Sequence, residues 1–401
     1  MMGQPVEVLI IGTGMYVCGR GTDGYGTILP SVMQAYRDGL VSRIVVAGTR
    51  ESSIKFLNNQ VEALRQQLGI DVEVEGYPKS GNDPEAYRKA LTQLGPRSCV
   101  IVAVPDHLHG PIAREMLEAN QPVMLVKPFT PTVKEGQELC QLARAKNLYG
   151  VVEFHKRWDL ANRKLQEVIE QKRLGIPLYA LVEFSQRKRV PQEIFGSWVE
   201  QTNVFQYLGV HYVDLLAHIF KAIPQRAMAV GQSAYLNGCG KHTQDSIQAI
   251  VEWAIPGSVT PFVSIFLVNW VDPNSSSAMS YQAIKVIGTK GRYESDQKCR
   301  GQQLVTDDYG IEDINPYFTQ SYSYGTEGRK EYLGYGIESI RTFLDDVWRL
   351  LEKTVTLEEL EKSRPTFQQA LISTAVTEAV GQSLECGGNW IPIKNVSEAM
   401  A

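Results

Sequence analysis

At 401 residues the chain is too long for one small core, so two domains are expected. Hydrophobic residues make up 43% and charged residues 21%, and a formal charge of −4 gives no electrostatic reason to expect nucleic acid or an anionic membrane as partner. Six scattered cysteines (Cys18, Cys99, Cys140, Cys239, Cys299, Cys386) form no Cys-x-x-Cys pair, which predicts reduced thiols in the cytoplasm and no zinc cluster.

Val6–Ile11 reads as a buried strand, followed directly by Gly12-Thr13-Gly14. After a glycine-rich loop, a helix is predicted over Ile28–Tyr36, with Pro30 tolerated in its first turn. A second strand, Ile44–Ala47, runs into Gly48-Thr49-Arg50, and a helix over about Ser53–Leu68 follows. Val72–Val74 is a short third strand, Pro84–Leu94 a helix, and Cys99–Val104 a strand stopped by Pro105. A helix over Gly110–Ala119 leads to the strand Val123–Val126, which ends at Lys127-Pro128. Val133–Lys146 is helical, and Gly150–Phe154 is a sixth strand. Alternating helices and continuously apolar strands predict a parallel, doubly wound sheet. No apolar stretch is long enough to span a membrane, and the short run after Met1 lacks the basic flank of a signal peptide.

The texture changes near residue 155. A helix over Ala161–Glu170 gives way to strand-like segments at Leu178–Phe184, Met228–Tyr235, Ser246–Trp253, Val263–Val268, Ala283–Ile287 and Leu304–Asp307. Their alternation predicts a mainly antiparallel sheet. One helix over Asn203–Phe220 interrupts them, and two more, Ile337–Glu352 and Phe367–Leu384, close the chain. The boundary therefore falls near residue 150: a dinucleotide-binding domain over 1–150, then an α+β domain over 151–401, whose last helices are free to pack back on the first.

Several positions carry chemistry. Gly12, Thr13 and Gly14 permit a tight turn and close approach of a pyrophosphate. The third glycine of the usual fingerprint is replaced by Val17, and the loop runs on through Cys18 to Gly26, an insertion of about ten residues against the usual spacing. The second strand lacks the acidic residue that would hold a free ribose 2′-hydroxyl. Thr49 and Arg50 stand there instead, and a guanidinium suits a 2′-phosphate, so NADP is slightly favoured over NAD; a plain surface arginine explains Arg50 equally well. Asp106 and His109 follow the fourth long strand at the same edge, where either could reach the ribose or nicotinamide, or His109 could simply pack. Lys127 ends a buried strand where open α/β sheets bind ligands, and partial burial makes its ammonium a tunable proton donor. Tyr207, His211, Asp214 and His218 share one face of the Asn203–Phe220 helix by spacing. His211 there is a candidate acid/base. A metal site of two histidines and a carboxylate lacks any supporting signature, so no metal is expected.

Taken together, these motifs resemble the Gfo/Idh/MocA (glucose–fructose oxidoreductase/inositol dehydrogenase) family over nearly the whole chain. Val104-Pro105-Asp106-His107-Leu108-His109 resembles its segment after the fourth strand, with Asp106 where asparagine is common. Val126-Lys127-Pro128 resembles its Glu-Lys-Pro motif, with valine for glutamate. Phe154-His155-Lys156-Arg157-Trp158 is similar to the entry into the second domain, with His155 where asparagine is usual. Gly209-Val210-His211-Tyr212-Val213-Asp214 is similar to its Gly-x-His-x-x-Asp helix, and Gly288-Thr289-Lys290-Gly291 to a late turn.

The resemblance implies a Rossmann domain joined to an α+β domain with an open, mainly antiparallel sheet that forms a dimer or tetramer interface. It implies an NAD(P)-dependent enzyme that oxidises a sugar or cyclitol hydroxyl, or reduces the ketone. Lys127 then hydrogen-bonds the reacting oxygen and His211 relays its proton. Where the family carries aspartate four residues before that histidine, this chain has Tyr207, which leaves the acid/base assignment open between the two; Tyr207 could instead stack on a sugar ring, with Trp198 nearby. Specificity is expected in loops at Arg187-Lys188-Arg189, Trp198 and Lys241-His242, whose basic character suggests an acidic or phosphorylated substrate or mere solvation. Two other readings compete: a lyase or glycosidase that uses bound NAD transiently, and a non-catalytic nucleotide or sugar sensor.

Overall fold

The computed structural model describes residues 3–298, 300–308, 310–323 and 328–394; Cys299 lies outside them. The chain forms two compact units. The first comprises residues 3–129, Gln137–Trp158 and Tyr317–Phe367, and the second Thr130–Gly136, Asp159–Pro316 and the segment from Gln368. The crossover at Trp158 lies just beyond the expected boundary near 150. The late helices divide: Tyr335–Leu351 belongs to the first unit and Phe367–Glu385 chiefly to the second.

Six parallel strands build the first unit: β1 (Val6–Ile11), β2 (Val41–Ala47), β3 (Val74–Tyr77), β4 (Ser98–Val102), β5 (Val123–Val126) and β6 (Gly150–Glu153). Their spatial order is β3-β2-β1-β4-β5-β6. The order reverses between β1 and β4, the switch point at which a doubly wound sheet opens a crevice. β4 is buried along its whole length, as a strand covered on both faces must be. The helix Glu51–Leu68 turns Ile54, Leu57, Val61, Leu64 and Leu68 inward at helical spacing and ends at Gly69, whose left-handed backbone (φ 64°) lets its N–H cap Arg65 O. Ile340, Phe343, Leu344 and Val347 of the Tyr335–Leu351 helix join the same core. β3 starts two residues later than predicted, because Val72 is spent on core packing while Val74 takes up the ladder opposite Ile44.

The second unit carries a larger sheet from β7 (Pro177–Arg187), β8 (Ile223–Gln232), β9 (Ser246–Ala254), β10 (Phe262–Asp272), β11 (Ser280–Gly288) and β12 (Gly291–Asp296), edged by Ile391–Pro392. The order is β12-β11-β7-β10-β9-β8-(Ile391–Pro392), antiparallel throughout except for β7 beside β10. Along β10, Phe262, Ser264, Phe266, Val268 and Trp270 are buried while alternate residues stay partly exposed, so one face of the sheet makes a core. The helix expected over Asn203–Phe220 is two segments, a π-helical Phe205–Gly209 and an α-helix Val210–Phe220. The Val210 N–H steps back five residues to Phe205 O, and a side chain on Gly209 would collide with the Phe205 ring. No helix among the described residues is long and apolar enough to cross a membrane. Cys18, Cys99, Cys140, Cys239 and Cys386 are free thiols.

Candidate active site

The first unit presents its polar residues at the carboxyl edge of the parallel sheet. Gly12 follows β1 with φ 126°, its N–H bonded to Ala47 O at 2.8 Å, and a Cβ there would strike Ala103 O beyond β4. Gly14 is exposed, and a Cβ on it would meet nothing within 4 Å. Gly12 thus lets the chain turn tightly past the end of β4, and Gly14 leaves bare backbone at the switch point, fit for a dinucleotide pyrophosphate. Thr13 packs beside Gly48 and is nearly buried.

The long loop is folded, not loose. The helix Met15–Cys18 pauses at Gly19, and the chain returns through Gly24 and Gly26 to the helix Ile28–Arg37. Gln60 Nε2 clasps the excursion by donating to Cys18 O (2.9 Å) and Gly24 O (3.2 Å), and the Thr27 N–H returns to Tyr16 O at 2.8 Å. Thr49 and Arg50 stand exposed at the end of β2, immediately before the Glu51–Leu68 helix. The neighbouring Glu51 carboxylate is occupied by Lys55 (2.7 Å) and the Gly81 N–H (2.9 Å).

Lys127 leaves β5 half-buried between two carboxylates. β5 lies between β4 and β6; Asp106 follows β4, and Glu153 ends β6 opposite Val126 in register. Burial pushes the Lys127 ammonium down to about 8, while Asp106 and Glu153 pull the other way. The lysine therefore titrates within the working range of an acid/base group. His109, expected at the ribose or nicotinamide, is fully enclosed. Its Nδ1 lies 2.7 Å from Pro128 O and its Nε2 3.0 Å from Val104 O, and burial pushes its pKa down. Its two ring nitrogens thus lie against carbonyls of the Lys127-Pro128 turn and of the residues that follow β4.

Two residues of this edge escaped the motif reading, Glu153 and Tyr16. The Glu153 carboxylate is 1% exposed and accepts from Ser339 Oγ (2.6 Å) and His155 Nδ1 (3.0 Å). The Tyr16 hydroxyl lies 3.4 Å from His155 Nδ1, and burial beside Glu153 raises its pKa well above the ordinary phenol value. The signal was present: a glutamate inside the buried run Gly150–Phe154 requires partners.

In the second unit, His211 occupies the first turn of Val210–Phe220, 5% exposed, with its ring centroid 6.1 Å from that of Phe184. Asp214 is buried one turn on, and His218 lies half-buried in the last turn. Tyr207 sits in the preceding π-helical segment, so the regular helical spacing is interrupted between it and His211. Its ring joins an aromatic cluster, 4.7 Å from Phe195, 5.9 Å from Trp270 and 6.3 Å from Trp198. The basic loops are largely spent internally. Arg187 binds Ser276 O, Arg189 pairs with Glu193 (3.0 Å), Lys188 covers the Tyr235 ring (4.4 Å) and Lys241 donates to Gly196 O (2.9 Å). Their charge gives little support to an acidic substrate. Among the described residues no three His, Cys, Asp or Glu side chains are grouped to hold a metal ion.

A six-stranded parallel sheet of this order with a glycine turn at its switch point defines the fold of a dinucleotide-binding domain. The sequence matches the oxidoreductase family with an NAD-binding Rossmann fold over residues 6–154 and the GFO/IDH/MocA C-terminal domain over 162–294; the chain belongs to the Gfo/Idh/MocA family. An uncharacterized oxidoreductase of Schizosaccharomyces pombe is 34% identical over 128 residues, 30% of this chain and 33% of that one, so the chain spans about a third of that relative's length. The NADP(+)-dependent scyllo-inositol 2-dehydrogenase of Bacillus subtilis is 29% identical over 57% of this chain and 56% of its own. An inositol dehydrogenase homologue of Azotobacter vinelandii, solved with NADH and myo-inositol, superposes with a TM-score of 0.69 at 19% identity, covering 98% of both chains.

Proposed function

We propose that the protein is an NAD(P)-dependent dehydrogenase or reductase that acts on a hydroxyl or ketone of a cyclitol or related sugar. The observation that carries this reading is Lys127: a half-buried ammonium, lowered to about 8, at the sheet edge that also bears the Gly12–Gly14 cradle. The inositol specificity of the Bacillus subtilis relative supports the substrate class. When bound, the nicotinamide cofactor accepts or supplies the hydride. Lys127 hydrogen-bonds the reacting oxygen and stabilises the charge that develops on it as hydride leaves the adjacent carbon. His211 takes or returns the hydroxyl proton, as the family resemblance implies, and Tyr207 with Trp198 offers an apolar ring face to the substrate. Gly12, Thr13 and Gly14 hold the pyrophosphate, and Asp106 orients the ammonium of Lys127.

NADP is the cofactor we favour over NAD, supported by exposed Arg50 in the place of an acidic ribose ligand. A homo-oligomer in the cytoplasm fits the half-covered second sheet and the free thiols. The test is turnover with a panel of inositols and hexoses in the presence of NADP or NAD, comparing the wild type with Lys127→Met. Activity on at least one polyol, abolished by that substitution, is expected; undiminished turnover by the variant would remove Lys127 from the reaction.

A further inference from the structure

Two carboxylates flank Lys127, and they differ in how they are held. Asp106 lies in the short turn after β4. Glu153 is the last residue of β6, in register with Val126, the residue immediately before Lys127. A carboxylate this deeply buried costs several kcal/mol unless it is bonded on every side or faces a cation. Both conditions hold here. The side chains of His155 and Ser339 donate to its oxygens, and the Tyr16 phenol from the glycine-rich loop lies beside it. His155 is itself walled by rings, with Phe318 at 5.2 Å and Tyr335 at 5.6 Å between centroids. Lys127 is the cation whose charged form Glu153 favours.

We propose that Glu153, fixed by His155 and Ser339, is a positioning residue for Lys127. It brings from β6 a second negative charge, beside that of Asp106, to favour the ammonium form of this lysine at the sheet edge. The place before Lys127 on its own strand is apolar Val126, so the charge reaches the lysine from the neighbouring strand. The titratable and polar groups beside Glu153 are His155, Tyr16 and Ser339, and Lys127 feels its charge together with that of Asp106.

This inference rests on the catalytic reading only for its kinetic readout, and a second readout is independent of any substrate. The Lys127 ammonium can be titrated by NMR after reductive methylation with a ¹³C label, its signal identified as the one missing from Lys127→Met. Glu153→Gln keeps the shape and removes the charge. The expected result is a Lys127 titration about one unit lower than in the wild type, the size of shift that a neighbouring opposite charge produces. The alkaline limb of the reductive pH–rate profile should move down with it, about tenfold less activity on that limb. Glu153→Asp, which keeps the charge but withdraws it by one methylene, should move both in the same direction by less, and it serves where the glutamine variant fails to fold. A Lys127 titration unchanged in the variant that folds, with activity lowered evenly at all pH values, overturns the proposal and leaves Glu153 a structural residue. Intact turnover in Lys127→Met would defeat the catalytic reading instead, while the NMR titration would still decide this one.

Discussion

The two units set their buried polar residues in different surroundings. At the parallel-sheet edge, Lys127, Asp106, Glu153 and His155 meet as charges or hydrogen-bonding partners within a few residues of three adjacent strand ends. On the Val210–Phe220 helix, His211 and Asp214 are deeply buried, the His211 ring 6.1 Å from that of Phe184 between centroids, and Tyr207 is held among Phe195, Trp198 and Trp270. Burial alone therefore does not predict the chemistry. In the first unit, opposed charges tune a cation; in the second, aromatic walls shape a surface beside a histidine.

The sharpest way to break this contrast is to remove the cation. Lys127→Met should lower kcat/KM by about 10³-fold, a loss of the size found when a group that stabilises a developing oxyanion is deleted. Steady-state kinetics on an identified polyol measures it. His211→Asn should cost about 10²-fold and Tyr207→Phe less than 10-fold, if the histidine is the acid/base and the tyrosine a packing surface. A larger loss in the tyrosine variant would reverse those roles.

The pH profile sharpens the first half of the comparison. Because burial lowers Lys127 to about 8, its ammonium is fully present below that pH and is lost as pH rises through it. The reductive rate, which needs the ammonium as donor, should fall above about pH 8. Lys127→Arg, whose guanidinium stays charged, should lose that alkaline limb even where its absolute rate is lower.

Much of this was legible in the residues. Alternation of helices and apolar strands gave the parallel sheet, and Gly12-Thr13-Gly14 and Lys127-Pro128 marked its functional edge, because backbone and strand-end chemistry are local. What stayed hidden depended on distant neighbours. The enclosure of His109 by Pro128 O and Val104 O requires β4 and β5 to be side by side. The π-helical step before Gly209 is set by packing of the Phe205 ring, which no helical spacing reveals. The basic loops looked available until carbonyls from other turns, Ser276 O for Arg187 and Gly196 O for Lys241, came into contact.

The glycine cradle offers a test of geometry against charge. Gly12→Ala places a Cβ against Ala103 O at a φ of 126°, so the turn must move; a destabilisation of about 2 kcal/mol or more and loss of nucleotide binding are expected, read by thermal unfolding with and without cofactor. Loss of binding with unchanged stability would show that the cradle, and not the core between β1 and β4, requires the glycine.

The smallest expected effect concerns Arg50, and it separates the two cofactors. An exposed guanidinium beside a 2′-phosphate contributes about 1 kcal/mol, because solvent screens it. Arg50→Gln should therefore weaken NADP by about fivefold to tenfold and leave NAD within about twofold, measured as dissociation constants at low and physiological salt. The NADP difference should shrink as salt rises. Equal losses for both cofactors would mean that Arg50 supports the loop before the Glu51–Leu68 helix, where the neighbouring Glu51 already binds the Gly81 N–H. In that event the end of β2 would discriminate by shape, through Gly48 and Thr49, rather than by charge.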